Sequence, residues 1–209
     1  EEIALTFVSN EDFFTIAKNN HTFVIGPRGC GKTTIFKMLM STAIQSWTPK
    51  TISEKELKEN FPFIAIYIPS DDLWKDQLES FLSEIESDDN FNEFVENALI
   101  TINILSNFCS SIIKHITTLD LDSKEAKEFE YSNFLIKFWK IEDCFSSIIA
   151  IKSELENRKS IFIQKVNKFI FNKQNKIATN IEFEEFYYSD FLNDIRSAIL
   201  CFERVYYNG

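Results

Sequence analysis

Apolar positions come in short runs near the start of the chain and in long stripes at helical spacing over the rest. Ser9-Asn10-Glu11-Asp12 carries the letters of a helix cap. Phe13, Phe14, Ile16 and Ala17 follow as a short amphipathic helix that ends near Asn19-Asn20. Phe23-Val24-Ile25 reads as a short buried strand, and Ile35, Met38 and Leu39 open a helix at the right spacing. Trp47-Thr48-Pro49 marks a turn. The run from Phe63 through Ile64, Ala65, Ile66 and Tyr67 to Ile68 reads as a second strand, apolar enough to be buried on both faces. Strand, helix, strand implies a right-handed crossover and a parallel sheet.

After Asp71 the pattern turns helical. Phe91, Val95, Ala98, Ile102, Leu105, Cys109, Ile112, Ile116 and Leu119 recur in alternating steps of four and three. Their flanks are Phe94, Leu99, Phe108 and Ile113 rather than charges, so the stripe predicts a helix buried in a bundle, not a free coiled coil. Asp120 to Ser123 breaks it. A second stripe runs through Phe134, Phe138, Ile141, Phe145 and Ile148 and extends toward Leu155, Phe162 and Val166. Asn172 to Asn180 reads as a polar loop. A last helix carries Phe191, Ile195, Ile199, Phe202 and Tyr206, with Ser189 as its cap.

Between the first strand and its helix lies Gly26-Pro27-Arg28-Gly29-Cys30-Gly31-Lys32-Thr33-Thr34, which fits G-x-x-x-x-G-K-[ST] at every fixed position. The chain has four glycines, and three of them fall here, which argues against a chance match. Such a loop turns successive amides inward toward phosphate oxygens, and the helix start adds partial positive charge. Gly26, Gly29 and Gly31 give the tight turn and close backbone approach. Gly29, Cys30, Gly31, Lys32 and Thr33 are expected to offer amides. Lys32 is expected to bridge the β- and γ-phosphates, Thr33 to place its hydroxyl on Mg²⁺, and Thr34 to donate to the α-phosphate. Pro27 stiffens the approach to the loop. Arg28 has three readings: phosphate contact, partner-subunit contact, or solvent. Cys30 is either an oxidisable thiol that blocks the site or an inert small residue. Phe7 and Val8 lie either against an adenine ring or in ordinary packing.

Composition sets bounds. Hydrophobic residues make up 44%, with 22 phenylalanines against four prolines, which favours an ordered, mostly helical protein. No stretch of sequence reads as a membrane span or leader, so a cytoplasmic protein is expected. The four cysteines are dispersed and there are two histidines, so a zinc site is not expected. Net charge is −10, yet residues 1–50 carry five basic and four acidic side chains. The acidic excess lies entirely beyond them and would repel a nucleic-acid backbone, so direct nucleic-acid binding is not supported.

Hydrolysis needs a further acidic residue at the end of an apolar strand. After Ile64 to Ile68, Pro69-Ser70 intervenes before Asp71-Asp72. Ile199-Leu200-Cys201-Phe202-Glu203 lies in phase with a helix. Neither has the required form, so no catalytic residue is assigned. The missing element, the absent initial methionine and the ending after Val205-Tyr206-Tyr207 suggest the N-terminal portion of a larger ATPase.

Thr6-Phe7-Val8-Ser9, His21-Thr22-Phe23-Val24-Ile25 with the loop, and Tyr67-Ile68-Pro69-Ser70-Asp71-Asp72-Leu73-Trp74 together resemble bacterial ATPases of the origin-recognition-complex branch of the AAA superfamily. The resemblance covers residues 6–80. It implies an α/β fold: a partial P-loop NTPase parallel-sheet core with a large, mostly α-helical insertion. Residues 1–75 are expected to form half of that core and 76–209 the helical lobe leading back toward it. It also implies ATP with Mg²⁺, and a homo-oligomer or a complex with an effector protein. Many such bacterial proteins are accessory components of anti-phage defence. Three readings stand: an ATPase or ATP-driven switch, a nucleotide-binding scaffold without turnover, and a phosphotransferase. The last needs clustered lid arginines, whereas Arg158, Arg196 and Arg204 are scattered.

Overall fold

The computed structural model describes residues 2–18, 22–61, 63–67, 89–119, 122–141, 144–178, 181–186 and 191–207. They are arranged in two compact units: Glu1–Tyr67 with Ser111–Asp120, and Ile68–Ser110 with Leu121–Gly209.

The first unit is a set of short helices around one cluster. Helix α1 is Glu2–Thr6, and α2 is Glu11–Ile16. Asn10 caps α2 by accepting from the Phe13 amide, as the sequence around it predicts. Helix α3, Lys32–Met38, follows the glycine loop. Helix α4, Ser41–Ser46, comes after a two-residue break, and α5 is Ile52–Glu59. Ala4, Phe13, Ile16, Met38, Leu39, Ile44 and Trp47 are buried together, with Phe7, Val24 and Ile35 packed at the margin. Phe7 meets Phe13 and Trp47 edge-on at ring centroids of 4.8 and 6.0 Å.

The parallel-sheet core is the expectation the structure overturns. The described residues contain no β-strand and no sheet. Residues 22–27 take up no regular secondary structure. Only Val24 packs inward, while Phe23 is 94% and Ile25 95% exposed. Residues 63–67 are likewise irregular and half-buried, with Phe63 and Ala65 against the cluster. These short runs meet the core through alternate side chains, and that contact needs no hydrogen-bonded ladder. Ile68 lies outside the described residues.

The second unit is a helical bundle with interlocked rings. Helix α6, Asp89–Thr118, buries Val95, Ala98, Ile102, Leu105 and Cys109, the stripe read from the sequence, and its last turns, with Ile112 and Ile116, belong to the first unit. By length and apolar composition α6 resembles a membrane-crossing helix, which the sequence reading had not expected, but half of its apolar window is buried and its seam packs inside protein. Helix α7 is Lys124–Phe138, α8 is Ile148–Gln174, and α9 is Phe191–Tyr206. Phe91 contacts Phe169 at 4.6 Å, and Phe162 contacts Phe94 at 5.7 Å and Phe186 at 4.8 Å.

Three helical expectations are corrected. The second stripe is not one helix: residues 139–147 separate α7 from α8, and Phe145 is 86% exposed. Tyr131 and Leu135 fill the core of α7, while Phe134 and Phe138 stack on each other half-exposed. Asn172 to Gln174 continue α8 rather than opening a loop. On α9 the buried face is Ala198, Cys201, Phe202 and Val205, with Tyr206, and Ile199 lies outside it. Ser189, its expected cap, is outside the described residues.

Candidate functional site

The glycine loop is an exposed turn fastened at both ends. Val24 before it and Ile35 after it both pack on the core cluster of the first unit. Between them Gly29 and Gly31 take φ of 85° and 86°, in the left-handed region that residues with a Cβ enter only under strain. That geometry reverses the chain and delivers it into α3. The Ile35 amide donates to Gly31 O at 3.0 Å and makes the first helical hydrogen bond.

The donors ahead of that bond decide what the loop can do. Gly31 at the start of α3 makes no side-chain cap. Among the described residues, the Cys30 amide is engaged, donating to Pro27 O at 3.4 Å, whereas those of Gly29, Gly31, Lys32, Thr33 and Thr34 meet no protein acceptor. Unmet amides at a helix start, on an exposed loop, suit an anion. The Cys30 amide, expected among the donors, is the one turned to the loop itself.

Side chains around the turn are placed as follows. Lys32 folds back so that Nζ donates to Gly26 O and to Pro27 O at 2.8 Å, and it lies 3.6 Å from Cys30 Sγ. A Cβ at Gly26 would come within 2.7 Å of that sulfur, so a side chain there would displace Cys30. Thr33 and Thr34 are exposed on the first turn of α3. Arg28 is exposed in the turn and has no partner among the described residues. Cys30 is an exposed free thiol. Phe7 follows the packing reading, whereas Val8 is 73% exposed.

Two features of the surrounding unit escaped the sequence reading. Thr51 and Glu54 form a capping box on α5, and the letters Thr51-Ile52-Ser53-Glu54 carry that signal openly. Glu54 is 5% exposed and accepts from the Lys50 and Thr51 amides and from Ser9 Oγ. The Ser9 hydroxyl above all, with the two amides, holds its carboxyl below the usual range against the opposing effect of burial. Lys58 Nζ donates to Gln45 O and Trp47 O, both at 2.6 Å, and so fixes α5 to the end of α4.

Among the described residues, the acidic element sought for hydrolysis is not found beside the loop. Asp71-Asp72 lie outside the described residues, and Glu203 is on helix α9. No carboxylate among the described residues pairs with a loop side chain, and none of their His, Cys, Asp and Glu groups forms a metal-binding cluster. Arg158 is held by Lys140 O and Glu154, and Arg204 lies beside Glu130. These arginines are used locally.

The ORC-CDC6-like family model matches residues 1–208. The chain belongs to the ORC-CDC6-like family. This is an ORC/CDC6-like, AAA-type ATPase relationship, and it fits an ATP-binding, ATPase-like module. Neither the curated proteins nor the solved structures yield a match.

Proposed function

We propose that Gly26 to Thr34 hold the triphosphate of ATP with Mg²⁺, and that the chain is the nucleotide-binding part of an ATP-driven switch. The observation that carries this is the set of unmet amides of Gly29, Gly31, Lys32, Thr33 and Thr34 on an exposed glycine loop, in a member of the ORC-CDC6-like family. The residues suit the group: glycines at positive φ leave room for phosphate, the amides donate, and a lysine stands beside them. Bound Mg²⁺ would supply charge neutralisation on the phosphate tail. Lys32 is assigned to the β- and γ-phosphates, Thr33 to Mg²⁺ and Thr34 to the α-phosphate. Gly26 and Pro27 shape the turn, and Arg28 and Cys30 line its exposed side.

Residues 1–75 are read as the nucleotide-binding part and 76–209 as a helical lobe through which the switch acts. Working as a homo-oligomer or with an effector protein, as an accessory component of a cytoplasmic bacterial defence complex, is the finer reading. The acidic balance of the lobe argues against its gripping nucleic acid directly. A second reading, a scaffold that holds nucleotide without turnover, is favoured by the absence of a carboxylate paired with the loop among the described residues.

Titration calorimetry of ATP–Mg²⁺ into the intact chain and its Lys32→Ala variant tests the site. The intact chain should bind. The variant should lose about 100-fold in affinity, about the worth of a charge-assisted contact, and keep its helical circular dichroism. Equal affinity in the two proteins would refute the assignment. ATP consumption by the intact chain separates a switch with turnover from a scaffold.

A further inference from the structure

The last turns of α6, from Ser111, belong to the loop-bearing unit. A helix end leaves its final carbonyls without intrahelical donors. Gln45 of α4 supplies one, its Nε2 donating to Thr118 O at 3.1 Å. Ser41, the first residue of α4, shares a 2.8 Å hydrogen bond with His115 Nδ1. His115 is half-buried, and burial lowers its proton affinity; Ile112 and Ile116 nearby on the helix are buried. The end of α6 is therefore held on α4 by a polar joint one helical turn in length.

That joint is tied to the loop by short, hydrogen-bonded steps. Leu39 and Met40 alone separate α3 from α4, and the Leu39 amide donates to Phe36 O. Met40 O accepts the amides of Ala43 and Ile44 at the start of α4. Met38, Leu39, Ala43 and Ile44 share one apolar cluster with Val24 and Ile35, the residues that flank the loop. Ile35, in the first turn of α3, thus packs on the same cluster that seats α4. Opening this joint would leave the Thr118 carbonyl to water, since Gln45 is the donor that meets it when docked.

We propose that the docking of the α6 end on α4 is the regulatory output of the loop: bound nucleotide favours the docked arrangement through α3 and α4. This rests on the reading of the loop as the ATP site. Linkage makes it reciprocal, so whatever ATP contributes to docking, docking contributes to ATP affinity.

Hydrogen exchange at residues 115–119 of the intact chain, with and without ATP–Mg²⁺, reads the joint directly. Exchange should slow about 5-fold or more when ATP binds. Gln45 is exposed, so Gln45→Ala leaves the core in place, and Ser41→Ala removes the second bond by an independent route. Each variant should bind ATP about 5-fold more weakly and show less ATP-dependent slowing, with unchanged circular dichroism. Unchanged exchange with ATP demonstrably bound, or wild-type affinity in both variants, would overturn this inference and leave the loop assignment standing. No ATP binding by the intact chain would overturn the loop assignment, and this inference with it.

Discussion

The two compact units use their apolar residues in opposite ways. In the helical bundle, Phe91, Phe94, Phe162, Phe169 and Phe186 meet ring against ring, and Tyr131 buries its ring while its hydroxyl donates to Ala198 O at 3.1 Å. In the loop-bearing unit a smaller cluster seats a turn whose amides, apart from that of Cys30, meet no acceptor among the described residues, and Phe23 and Ile25 stand in solvent just ahead of it. One unit packs its rings against one another. The other leaves backbone donors unmet where an anion can take them. The contrast separates residues that hold the protein together from residues that do something with it.

The sharpest way to test that contrast is to open each side in turn. Phe162→Ala removes a fully buried ring from the bundle, and a loss of about 3–5 kcal/mol in denaturant unfolding is expected. A loss under about 1 kcal/mol would mean the rings are not the bundle's core. Gly31→Ala forces a side chain into a φ of 86° and should cost about 1–2 kcal/mol, visible as a lower melting temperature. It should also weaken ATP binding, whereas Phe162→Ala should not. Thr51→Ala removes the capping-box hydroxyl of α5 and should cost about 1 kcal/mol in the same melt.

The smallest effect expected is with acid. Glu54 holds its proton less readily when folded, and so does His115. For both, the unfolded chain binds more protons, so stability rises with pH. The His115 contribution is complete above its ordinary value of 6.5 and drains away as pH falls through its lower folded value. The Glu54 contribution is complete above the ordinary carboxylate value of 4.5 and is lost at still lower pH. Melting followed from pH 7 to pH 4 should show the His115 part vanish in His115→Gln. A melting temperature that rises on acidification would contradict both directions.

Much of this was legible in the letters, for reasons that also explain the misses. A glycine loop is a local device: its positive φ angles and its helix start depend on residues adjacent in sequence, so its form could be read directly. The stripe of α6 could be read because a long helix repeats its burial period many times, from Val95 to Ile116. Short apolar runs carry no such redundancy. Val24 between two exposed neighbours looks like a strand in sequence, but a strand exists only with a partner's ladder, which its own residues do not encode. Phase errors on α7 and α9 have a similar source. Phe134 stacks on Phe138, with centroids 5.2 Å apart, and Tyr131 takes the core instead, since a tyrosine with a carbonyl partner buries as well as a phenylalanine. The polar joint of Ser41 with His115 spans 74 residues of sequence and left no local signal.

If the backbone of one turn grips a phosphate tail, its amide chemical shifts report the contact. Adding ATP–Mg²⁺ to the isotope-labelled chain should move the amide signals of Gly29, Gly31, Lys32, Thr33 and Thr34 farthest, with inorganic triphosphate moving the same set. If those signals stay in place while amides elsewhere shift, the nucleotide binds at another site and the account is wrong.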